Sequence, residues 1–90
     1  MRMFVIERDL PEVGSMEHAE LRGAAQKSNE ALRQLAPKVQ WQHSYVAGDK
    51  TFCVYLADDE SAIHEHAELS GFPATKVTEI KRIIDPTTAK

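Results

Sequence analysis

Cysteine occurs once among 90 residues, at Cys53, so no internal disulfide can form. The expected compartment is therefore a reducing cytoplasm. Glycine and proline are equally sparse, at four each, and no glycine-rich phosphate loop or Cys-X-X-Cys pair is present. Long apolar runs are missing too. No stretch approaches the roughly 20 apolar residues of a membrane span, and the apolar opening Met3–Ile6 is too short for a signal peptide. Basic blocks are absent: the net charge is −3, from 11 basic and 14 acidic residues. A surface that tracks phosphates needs clustered Lys and Arg, so nucleic acid is not an expected partner. There are no repeats or linkers, and the chain reads as a single domain, residues 1–90, with 85–90 as a loose polar tail.

What is present is concentrated between Val39 and Leu56. That segment holds the one Trp, the one Cys, both Tyr and one of the four His. Two β-rich runs there flank Gly48-Asp49, a hairpin signal. Around it, Met3 to Arg8 reads as a strand. Ser15 reads as the cap of a helix whose apolar stripe, Leu21, Ala24, Ala25, Ser28, Leu32 and Leu35, runs through about five turns to Pro37. Asp58 or Asp59 caps a second helix with Ile63, His66, Ala67 and Ser70 on its inner stripe, ending at Gly71. Lys76 to Ile84 alternates as a last strand.

The order βαββαβ predicts an α+β, ferredoxin-like fold: a four-stranded antiparallel sheet with both helices on one face. The other face is then bare. The aromatic hairpin makes it too apolar to leave in water, which predicts a homodimer packed face to face as a dimeric α/β barrel. Hairpin register decides what lines that barrel. An even turn puts Trp41, His43 and Tyr45 beside Phe52, Val54 and Leu56; an odd turn puts them beside Cys53 and Tyr55. The odd turn is the expected one, because it gives the helices the row Phe52, Val54 and Leu56. Trp41, Tyr45 and Tyr55 then line the cavity between the two copies.

The strings Trp41–Val46, Asp49–Tyr55, Glu65-His66-Ala67 and Gly71-Phe72-Pro73-Ala74 closely resemble a family of small bacterial proteins of unknown function. Phe4–Pro11 and Ile84-Asp85-Pro86 fit the same pattern, so the likeness covers nearly the whole chain. The family's characterised type is a nickel-binding protein. The resemblance implies the fold and dimer already reached, and nickel as the metal.

The residues themselves suggest a site. His43, mid-strand among aromatics, is a candidate imidazole ligand, or else a histidine hydrogen-bonded to a neighbouring strand. Glu7 and Glu79 lie on adjacent strands and would add carboxylate ligands, or pair with Arg8, Lys81 and Arg82. Cys53 would be a soft ligand or a nucleophile with His43 as base, against the commoner role of a small buried apolar residue. His64 and His66 point about 200° apart on a helix and cannot chelate one ion together. Glu60, His64 and Glu68 share an outer, solvated stripe, and His18 has no companion. The expectation is a divalent-metal-binding protein. The competing expectation is a small-molecule binder or enzyme using the barrel cavity, with His43 as acid or base.

Overall fold

A computed structural model describes all 90 residues. Strand β1 spans Arg2–Asp9, helix α1 His18–Leu35, β2 Val39–Val46, β3 Lys50–Ala57, helix α2 Glu60–Ser70 and β4 Lys76–Ile80. The strands form one antiparallel sheet in the order β2-β3-β1-β4. This is the ferredoxin-like α+β fold that the element order implies.

Alternation along β1 and β3 sorts residues onto two faces. Phe4 and Ile6 are buried beside Cys53, Tyr55 and Ala57, and both helices deliver Leu35, Ala62 and Ile63 to the same core. Burying each of the large members contributes about 1.5–3 kcal/mol. The reverse face carries Met3, Val5 and Glu7 opposite Leu56, Val54 and Phe52, all half-buried, with no helix over them.

The local chemistry fixes the element ends. Asp59 caps α2 by accepting from the Ala62 N–H at 3.1 Å. The Ser61 hydroxyl and that amide hold its carboxyl below the usual range. Gly71 ends α2 in the left-handed region, at φ 77°. At the other helix the cap is not Ser15. Val13–Ser15 forms a short 3-10 turn, and the Ser15 hydroxyl donates to the Glu12 carbonyl within it. α1 starts three residues later. That turn sits hard against the hairpin tip: a Cβ at Gly14 would lie 2.5 Å from the Ala47 carbonyl oxygen. β4 stops at Ile80, four residues short of the expected Ile84. Beyond it the chain is exposed, ending in a 3-10 turn over Pro86–Ala89 capped by Asp85.

The hairpin departs most from expectation. The Ala47 N–H bonds the Lys50 carbonyl and Val46 pairs with Thr51, so the turn is even. Tyr45 therefore faces with Phe52, and His43 with Val54. A β-bulge at Gln42 then shifts the register, and Trp41 pairs with Tyr55. One inserted residue flips the strand's alternation. Trp41 and Ser44, three apart, consequently share a face, and the indole N–H donates to the Ser44 hydroxyl at 2.9 Å.

Candidate functional site

The bulge divides the expected cavity lining between the two faces. His43 and Tyr45 stand on the bare face, both exposed, with their rings edge to face at 5.1 Å. Trp41 and Tyr55 lie on the helix-covered face, ring planes 18° apart and centroids 6.5 Å apart. Cys53 is also there, 6% exposed and 3.4 Å from the Thr51 hydroxyl. The sheet therefore stands between Cys53 and His43. The two can neither ligate one ion within a chain nor act as nucleophile and base.

The expected carboxylate pair is divided as well. Glu7 pairs with Lys76 and shares the bare face with Phe52. Glu79 pairs with Phe4 on the opposite side and bonds Lys81 at 3.0 Å. Lys50 approaches Glu7 at 3.7 Å and Asp9 at 3.9 Å. Glu7 is thus partly engaged by an ammonium group in the single chain.

The other histidines are committed elsewhere. His64 meets Glu60 at 3.1 Å on the exposed side of α2, and His18 is exposed at the start of α1. His66 is buried beneath the helices, with the Ser28 hydroxyl 3.1 Å from its Nε2. Burial first, and the Arg8 charge second, push its pKa down to about 4. Ser28 also reaches the Tyr55 hydroxyl at 3.4 Å. Burial raises the Tyr55 pKa, against the lowering effects of Ser28 and Arg8, so it stays a neutral phenol.

Arg8 completes this buried cluster, and the sequence treats it as no more than a charge partner for the glutamates. It is 2% exposed, with its guanidinium carbon 5.9 Å from the Tyr55 ring centre. Its alternation with Phe4 and Ile6 was the available sign that it points inward.

No group of three or more His, Cys, Asp or Glu in the chain is placed to hold a metal ion. The donors on the bare face, His43, Glu7 and Asp9, are nitrogen and oxygen ligands of the kind a nickel-type ion takes. Within one copy they are spread over β2 and β1 with β3 between them. A second copy placed face to face would double them.

These features define a class: a small ferredoxin-like domain with two helices on one sheet face and a single imidazole on the bare one. No helix is long and apolar enough to cross a membrane. Residues 4–80 match the family described as nickel responsive protein SCO4226-like, and the chain belongs to that family. The crystal structure of SCO4226 from Streptomyces coelicolor A3(2) has the same fold, with a TM-score of 0.76 at 14% identity over 91% of this chain and 99% of that one. No curated protein matches the sequence.

Proposed function

We propose that two copies of this chain pair through their bare sheet faces and bind a divalent transition metal, nickel by family, with His43 as the principal ligand. The carrying observation is placement: of four histidines, His43 alone stands on the uncovered face of the sheet. Membership of a family described as nickel responsive supports the choice of metal. Met3, Val5, Phe52, Val54 and Leu56 form an apolar field around it, the surface a second copy would cover. Glu7 is the supporting carboxylate once the metal displaces Lys50, and a bound ion would supply a fixed positive charge between the copies. Cys53 and Glu79 have no part in this site.

A small-molecule role for the same intermonomer space gains no support, since Trp41 and Tyr55 face the helices instead. The protein acts in this reading as a metal binder in a reducing cytoplasm, where its one buried thiol is in keeping.

Sedimentation at micromolar concentration tests the pairing. The expected species is a dimer, and Val54→Lys should convert it to a folded monomer because Val54 faces away from the core. A wild-type chain that stays at 10.1 kDa would remove the shared site.

A further inference from the structure

The helix-covered side of the sheet holds a cavity of about 440 Å³ between α1 and the hairpin, within the size range of small-molecule sites. Its origin is visible in the side chains. α1 turns Ala24, Ala25 and Ser28 toward it, and the sheet answers with Ser44, Thr51 and Cys53, so small groups on both walls leave space between them. Leu21, Val46 and Trp41 supply apolar walls.

Arg8 forms part of the same wall. Its Nη1 donates to the carbonyls of Pro73 at 2.9 Å and Phe72 at 3.3 Å. Its Nη2 is buried with no hydrogen-bond partner, and no carboxylate of the chain forms an ion pair with it. A buried cation with a free donor favours an anion nearby, and a guanidinium matches a carboxylate in geometry. Tyr55 and Ser28 belong to the same lining, their hydroxyls 3.4 Å apart.

From this geometry we infer that the cavity under α1 binds a small organic carboxylate with an apolar body, its carboxylate taken by Arg8 and its body seated against Trp41 and Leu21. The site is separate from the bare face, on the other side of the sheet, and does not depend on metal or dimer.

Trp41 is the single tryptophan and lines the cavity, so its fluorescence reports occupancy. Phenylacetate and hexanoate are titrated into the wild-type protein against their neutral amides. The expected result is a saturable change in Trp41 emission and a rise in Tm with the acids, with the amides at least about tenfold weaker. Ala25→Leu fills the space with a good helix former while leaving Arg8 in place, and should abolish the response with the fold intact. Arg8→Lys, which keeps the charge and loses the fork, should weaken the acids by about tenfold or more. Should that variant fail to fold, the acid–amide comparison and Ala25→Leu still decide. Saturating nickel should leave the acid titration unchanged. Equal response to acid and amide, no saturation up to about 10 mM acid, or wild-type binding by a folded Ala25→Leu protein would overturn the inference.

Discussion

His66 shows how a single position can be read in part from spacing and only fully from its surroundings. Its place on the inner stripe of α2 is legible, because i, i+3 and i+4 neighbours share a helix face. The burial that chiefly depresses its pKa, and the Arg8 charge that adds to it, are not, because Arg8 lies 58 positions away and reaches it only through the fold. A linked pH dependence follows. The unfolded His66 takes up a proton near 6.5, whereas the folded one resists until about pH 4. Between those values the unfolded state binds more protons, so stability is fully present above about pH 6.5 and falls on acidification toward 4. The loss should be about 3 kcal/mol, measured by urea unfolding across that range. His66→Gln should flatten that slope, and an unchanged slope would assign it to the carboxylates.

Gly71 offers a second test at this scale. Its positive φ is the left-handed helix ending that Gly-Phe-Pro suggests. Gly71→Ala should destabilise the protein by about 1 kcal/mol. Crowding adds little, as the nearest group to a new Cβ is the mobile end of Lys27 at 3.2 Å. Equal stability in denaturant would contradict the strained backbone.

At the scale of elements, the hydrophobic period of 3.6 locates both helices, and capping chemistry places the ends of α2 at Asp58 or Asp59 and at Gly71, of which Asp59 is the cap. The period of 2 located all four strands. It failed at β2, where a bulge breaks the period without any Gly or Pro to mark it. Neither parity of the turn alone could have placed Trp41 and Tyr45 correctly, because the bulge reverses alternation between them. Deleting Gln42 tests this directly. It removes the one extra residue, so Trp41 still pairs with Tyr55 and stays on the covered face, now two positions from Ser44 in a regular strand. The expected outcome is a folded variant with native Trp41 emission. Red-shifted emission would show that Trp41 had turned outward and contradict a one-residue bulge. The last strand ends early: its ladder with β1 stops at the Met3–Ile80 pair, beyond which only Arg2 and Met1 remain opposite, and Lys81-Arg82-Ile83-Ile84 no longer alternates.

Across the whole molecule, the fold was legible because βαββαβ with these spacings admits few arrangements. The candidate site was legible only in part. The mid-strand place of His43 is legible from residue type and position. Glu79 is expected beside Glu7 because β1 and β4 are neighbours, as they are, but it falls on the opposite face, and Cys53 is expected there on a hairpin register that the sheet does not adopt. The cluster of Arg8, Ser28, Tyr55 and His66 escaped notice because its members come from four different elements. Each reads alone as an ordinary strand or helix residue. What the bare face carries is a single imidazole, that of His43.

Nickel titration by calorimetry of wild-type, His43→Ala and His64→Ala proteins, at a concentration where sedimentation shows the dimer, tests this most directly. His43→Ala should weaken nickel binding at least about tenfold, or about 1.4 kcal/mol, while the dimer persists and His64→Ala changes little. Wild-type affinity should also weaken on acidification, since the imidazole must be neutral to ligate. Loss of binding in His64→Ala with full binding in His43→Ala would place the metal on the outer face of α2 and contradict the account.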